Sequence, residues 1–170
     1  LHYHLQDHQN FPGTGGAIRN ITPKYEHLLV LSGDMPLLES SHMQNFTHFD
    51  ADIVMSTFTC KDPFGYGRVI MDEACNVKRI VEEKDASVEE KKVTSVNAGV
   101  YLFKTSFLND NLSKLNNNNA QKEYYITDLI PLAKEVKALF VDEETFMGVN
   151  SKHHRSIAEE LMQERIKRRF

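Results

Sequence analysis

The segment Asn117-Asn118-Asn119-Ala120-Gln121-Lys122-Glu123-Tyr124-Tyr125-Ile126-Thr127-Asp128 gathers amides, two phenols and a hydroxyl into one short stretch. Groups of these kinds hydrogen-bond the hydroxyls and acetamido group of an amino sugar, while the rings cover its apolar face. The same stretch also reads as a polar loop closing onto a helix. Thr127 or Asp128 would then be the N-cap of an apolar pattern running from Leu129 to Val136.

Carboxylates at strand ends supply a second kind of chemistry. Leu28-Leu29-Val30-Leu31 is an unbroken apolar run, followed by Ser32-Gly33-Asp34. It predicts a parallel strand buried on both faces, with Asp34 at the carboxyl edge where open α/β sheets bind ligands. A carboxylate there suits Mg2+ held against phosphate oxygens, and the same position suits a turn residue or N-cap. Asn150, in Gly148-Val149-Asn150, adds a neutral oxygen donor. One carboxylate and one amide leave coordination positions for waters and phosphate oxygens. Glu82, in Ile80-Val81-Glu82-Glu83-Lys84-Asp85, ends another short strand and can accept bonds from sugar hydroxyls; Glu83, Lys84 and Asp85 read as surface charges. Asn97 lies inside a β-prone run, where a buried amide needs partners and a ligand is one source of them.

Two glycine-bearing turns complete the set. Gly13-Thr14-Gly15-Gly16-Ala17 leads into a helix and lets backbone N–H groups approach a base or phosphate, with Thr14 adding a hydroxyl. It matches neither the P-loop nor the GxGxxG pattern, and a plain surface turn accounts for it as well. Asp62-Pro63-Phe64-Gly65-Tyr66-Gly67-Arg68 brings backbone close to a neighbour. With no GxSxG elbow and no Cys–His arrangement, these parts suit a displacement at phosphorus driven by positioning and metal electrostatics.

An α/β fold is needed to position such groups. Ile53 to Phe58 predicts a second buried strand. Gly67 to Met71 and Val77 to Val81 predict a hairpin around Asp72 to Asn76, and Val96 to Phe103 a further strand. Leu129 to Val136 has helical spacing with Pro131 in its first turn, and Ala138 to Val141 returns as a strand. Ser151 to Arg169 predicts an amphipathic helix with Ile157, Ala158, Leu161 and Met162 as its stripe and a solvated basic end. Strands alternating with helices predict a mostly parallel central sheet flanked by helices and interrupted by hairpins.

Bulk properties narrow the function classes. The 170 residues suffice for one domain with a core, and the net charge of −4 argues against a nucleic-acid-binding face. No apolar segment approaches the ~20 residues of a membrane span, and no secretory signal pattern opens the chain. Cys60 and Cys75 lack metal-ligand or CxxC spacing and are expected to be reduced thiols of a cytoplasmic protein. His2, His4 and His8, and the adjacent His153 and His154, have no Cys or carboxylate pattern that would make them a metal site. A chain that opens at Leu1 and runs at once toward a glycine turn is expected to be a piece of a longer protein.

Taken in order, Pro12-Gly13-Thr14-Gly15, Leu31-Ser32-Gly33-Asp34-Met35-Pro36-Leu37, the Asp62–Arg68 turn, Ile80 to Ala86, Val96-Asn97-Ala98-Gly99, the Asn-rich block and Gly148-Val149-Asn150 resemble the motifs of bacterial N-acetylglucosamine-1-phosphate uridyltransferases. The likeness runs across essentially the whole chain. It implies a Rossmann-like nucleotide-diphospho-sugar transferase fold, incomplete at the N-terminus, over residues 1–150, and a linker helix over 151–170. It also implies formation of UDP-N-acetylglucosamine and pyrophosphate from UTP and N-acetylglucosamine 1-phosphate, with Mg2+ as cofactor. By this resemblance Asp34 and Asn150 are the metal ligands, and Gln6, Gly13 and Thr14 contact the nucleotide. Gly67, Glu82, Asn97, Tyr125 and Thr127 contact the amino sugar, and Ser32 and Gly33 belong to the substrate site. Ser32 stands where the family often has Tyr, Gly16 where His is common, and Ala98 where Thr is common. The family's opening GxGTRM loop and its C-terminal β-helix, which makes a homotrimer, have no counterpart here. Another sugar-1-phosphate nucleotidyltransferase and a non-catalytic nucleotide-sugar-binding module are the rival expectations.

Overall fold

The computed structural model describes residues 2–169. Its centre is a six-stranded mixed sheet: β1 (His27–Val30), β2 (Ile53–Thr59), β3 (Arg68–Met71), β4 (Val77–Val81), β5 (Ser95–Lys104) and β6 (Val136–Phe140). The order is β4-β3-β5-β2-β6, and β1 also pairs with β5. Strands β1, β2, β3 and β6 point one way and β4 and β5 the other. Four strands thus share a direction, yet the reversed β5 stands among them, and among the described residues only β2 and β6 are parallel neighbours.

A strand has two edges, and β2 occupies one edge of β5 along both halves. The other edge is divided: β3 meets it at Val96, and β1 runs alongside Tyr101 to Lys104. A notch opens between them, opposite Asn97 to Val100. The register of β2 against β5 also shifts here, from Met55↔Tyr101 to Thr57↔Asn97. Two surplus residues of β5 make the bulge, and Gly99 takes φ +79°, a conformation that side chains strain to adopt. Ser56 repairs the ladder: its hydroxyl donates to the Val100 carbonyl (3.2 Å) and accepts from the Val100 N–H (3.0 Å).

Alternation along the strands splits the core between the two faces. Ile53, Met55, Val69, Tyr101 and Phe103 pack on one face with Leu108, Leu129 and Ile130. Val54, Phe58, Val96, Val100 and Leu102 pack on the other with Phe46 and Phe146. Short helices α1 (Thr14–Ile18), α2 (Ser40–Gln44), α3 (Thr105–Asn111) and α4 (Glu143–Phe146) flank the sheet, and α5 (Lys152–Arg169) follows.

Three expectations are corrected. The strand at Leu28 is neither parallel to its neighbour nor buried on both faces. It pairs antiparallel with β5 and is half-buried, because among the described residues β5 is its one strand partner. The helix expected from Leu129 to Val136 is a 3₁₀ segment, Ile126–Leu132, containing Pro131. Proline withholds the N–H that a continuing helix needs, and Val136 is captured by pairing with Ile53. The basic end of α5 is not wholly solvated: half-buried Arg165 donates to the Leu37 carbonyl (2.9 Å) and pairs with Glu39 (3.0 Å).

Candidate functional site

A cavity of about 430 Å³ opens at the notch in the sheet, within the size range of small-molecule sites. The turn after β1 contributes Ser32, the segment after β4 contributes Glu82, and β5 contributes Asn97, Gly99 and Tyr101. Thr14 from α1 and Thr127 from the 3₁₀ segment close it, and Ile18, Val30 and Ile126 make part of the wall apolar. Residues separated by more than a hundred positions therefore share one enclosure because β5 leaves part of its edge uncovered.

Glu82 lies at the end of β4 and accepts from the Thr127 hydroxyl at 3.1 Å. Burial pushes its carboxyl up from the ordinary range; the Thr127 bond opposes this, and Asp128 and Asp85 reinforce it. Thr127 is no N-cap. Tyr125 holds that position without a side-chain cap bond, and Thr127 spends its hydroxyl on Glu82. Asn97 finds its partner at the bulge: its Oδ1 accepts from the Gly99 N–H at 3.0 Å, and its own N–H bonds the Gly67 carbonyl at 2.8 Å. Its side chain lines the cavity, with the amide orientation set by the Gly99 bond.

Tyr125 does not line this cavity; its hydroxyl is held in a network between two sequence motifs. Its hydroxyl accepts from Gln121 (2.9 Å) and donates to Asp85 (3.3 Å); Asp85 also accepts from the Ala120 N–H (2.8 Å). Lys84 reaches Gln121 at 2.7 Å. Asp85 is therefore a clasp between the Glu82 segment and the Asn-rich block. Glu83 is no free surface charge either. It pairs with the buried Arg68 at 2.7 Å, and the guanidinium holds its carboxyl below the usual range. Arg68 also donates to the Tyr66 carbonyl, so the Asp62–Arg68 turn and the Glu82 segment are fastened together. A glutamate after a strand gives no sign in sequence of such pairing, because the partner lies fifteen positions away.

Gln6 and the glycine turn lie at the outer side. The Gln6 amide donates to the carbonyls of Phe11 (3.0 Å) and Gly13 (2.8 Å). The turn docks on the Asn-rich block: Gly15 N–H donates to Tyr124 O (2.7 Å), Tyr124 N–H to Pro12 O (2.8 Å), and Ile126 N–H to the Thr14 hydroxyl (3.1 Å). Of this group, Thr14 reaches the cavity.

Gly33, Asp34 and Asn150 form a neighbouring cluster. The Asp34 carbonyl accepts from the Val149 N–H at 2.9 Å, joining the turn after β1 to the stretch before α5. A side chain on Gly148 would place its Cβ 2.7 Å from Asp34 Oδ2 and 3.2 Å from the Asn150 amide. The carboxylate and the amide thus border the same small space, which glycine leaves open. Asp34, Val149, Arg155 and Met162 also line a second cavity of about 630 Å³ between this turn and α5. Among the described residues no group of three or more His, Cys, Asp or Glu side chains converges. No helix among them is long and apolar enough to cross a membrane.

Comparison with known proteins places the chain in a family. The chain is 54% identical over its whole length to the bifunctional protein GlmU of Aliarcobacter butzleri, covering 40% of that protein. It is 53% identical, over the same shares, to the bifunctional protein GlmU of Nitratiruptor sp.. It therefore spans about 40% of the length of the curated relatives it matches. The crystal structure of HddC from Yersinia pseudotuberculosis shares the fold: TM-score 0.55 and 20% identity, over 86% of this chain and 62% of that one. The nucleotidyl transferase family profile matches residues 1–147, and the chain belongs to that family.

Proposed function

We propose that the protein is a uridyltransferase that joins UTP and N-acetylglucosamine 1-phosphate to give UDP-N-acetylglucosamine and pyrophosphate, with Mg2+ as cofactor. The observation that carries this reading is the convergence of Glu82, Asn97 and Thr127 in one cavity. Similarity to bifunctional GlmU proteins over the whole chain supports it.

Each group has a role on this reading. Glu82 accepts from a sugar hydroxyl, the Asn97 amide donates to the ligand, and the Tyr125 ring covers the sugar beside them. Asp34 and Asn150 would hold Mg2+, as oxygen donors suited to that ion. The ion, when bound, neutralises charge on the phosphate oxygens. The sugar phosphate oxygen attacks the α-phosphorus of UTP and pyrophosphate leaves; the chain's contribution is alignment of the two reactants. Residues 1–150 constitute the transferase portion and 151–170 the linker helix of a longer, cytoplasmic, trimeric parent.

Calorimetric titration of UDP-N-acetylglucosamine into the chain, with and without Mg2+, tests the reading. Saturable binding that weakens for UDP-glucose is expected. Equal affinity for the two nucleotide sugars would overturn the choice of sugar, and a folded chain that binds neither would overturn the site.

A further inference from the structure

Tyr101 projects from β5 on the same face as Asn97 and Gly99, and its ring stacks on Phe103 with centroids 5.7 Å apart and planes inclined by 26°. The residue is 3% exposed. The residue nevertheless lines the cavity, with its hydroxyl buried in the wall near Glu82 and the Asn97 side chain. The buried hydroxyl makes no hydrogen bond of accepted geometry among the described residues, with the Asn97 amide its nearest candidate donor. Buried hydroxyls are rarely left in this condition, because the bonds to water they give up must be replaced. A phenol at the wall of a ligand cavity is satisfied when the ligand arrives.

We propose that Tyr101 is a further sugar-contacting residue, donating its phenolic O–H to a hydroxyl of the bound hexose that in turn donates to Glu82. This rests on the nucleotide-sugar reading above and extends it to a residue outside the motifs that suggested it. The chemistry follows from the two neighbours. Glu82 as a carboxylate only accepts, and burial keeps the Tyr101 phenol protonated, so it donates. A group between an acceptor and a donor must do both, which a hydroxyl does and a carbonyl or a hydrogen does not. The residue therefore selects for a hydroxyl at one ring position of the sugar.

The experiment is calorimetric titration of UDP-N-acetylglucosamine, and of analogues lacking one ring hydroxyl each, into the chain and into its Tyr101→Phe variant. The phenylalanine variant is expected to bind the parent sugar roughly tenfold more weakly, the usual worth of one such bond. One deoxy analogue should lose affinity for the wild type but lose little further on substitution. The unliganded variant should unfold at the same temperature or higher, since the hydroxyl has no protein bond to lose. Unchanged affinity in Tyr101→Phe, with the wild type binding normally, would overturn the proposal and leave the parent reading intact. So would a uniform loss across all analogues with a lowered melting temperature, which marks a packing role. No binding of any UDP sugar by the folded wild type would instead overturn the parent reading and this proposal with it.

Discussion

The hydroxyl of Thr127 donates to Glu82 Oε1 across 3.1 Å, joining residues 45 positions apart. That bond binds the end of β4 to the 3₁₀ segment and orients a carboxylate that burial disfavours in its charged form. The site is thus formed at some expense to the fold, since a buried charge with one good partner is only partly compensated.

Glu82→Gln should expose that cost. The folded-state pKa of Glu82 is raised above its ordinary value near 4.5, so the native state holds this proton more tightly than the unfolded chain. Stability contributed here is greatest below that value and declines as pH rises through the raised one. The glutamine variant should therefore melt higher than the wild type at neutral pH, with the gap closing as pH falls toward 4. Affinity for UDP-N-acetylglucosamine should drop roughly tenfold or more. Thermal scans across pH 4 to 8, paired with calorimetry, check both halves.

The Arg68–Glu83 pair should behave in the opposite sense. Glu83→Gln leaves a guanidinium of 2% exposure without its counter-charge, at a cost of about 3 kcal/mol. Lys91, also near Glu83 at 3.5 Å but 46% exposed, should cost less than about 1 kcal/mol when changed to Ala. Because Arg68 depresses the Glu83 carboxyl, the pair's contribution is complete above pH of about 4.5 and is lost as pH falls through the depressed value. Urea titrations of both variants at pH 7 and pH 3.5 distinguish them.

Gly99→Ala should destabilise by about 1–2 kcal/mol, because φ +79° is strained for any side chain. Its Cβ would also lie 3.3 Å from Ser32 Oγ, in the cavity wall. The Asn97 amide, which accepts from the Gly99 N–H, should be misplaced as well. Weaker sugar binding together with the lower urea midpoint is the expected result.

Asp34→Asn should abolish the effect of divalent metal on nucleotide-sugar binding while changing stability by less than about 1 kcal/mol. The turn is fixed by the Asp34 carbonyl bonding the Val149 N–H, which the substitution retains. Mn2+ titration followed by electron paramagnetic resonance, with UDP-N-acetylglucosamine present, reads the loss directly. Persistent metal binding would move the ligand role elsewhere.

The sequence by itself determined the strands, the β3–β4 hairpin and the final helix, since alternation, apolar runs and turn residues act locally. It also marked Asn97 as an amide in a strand that needs partners, Asp34 and Glu82 as carboxylates at strand ends, and Thr127 as a hydroxyl of the Asn-rich block. It misread the strand at Leu28, because an apolar run carries no record of whether its neighbour is parallel or how many faces are covered. Leu129 to Val136 was misread in a similar way: helical spacing competes there with Pro131 and with strand pairing to β2. Tertiary structure alone decided that β1 and β3 share one edge of β5, leaving the notch that becomes the cavity. It alone turned Glu83 and Asp85 from apparent surface charges into fasteners, and put Tyr101 at the cavity wall. Those outcomes depend on strand register and on contacts between residues far apart in the chain, which local pattern does not encode.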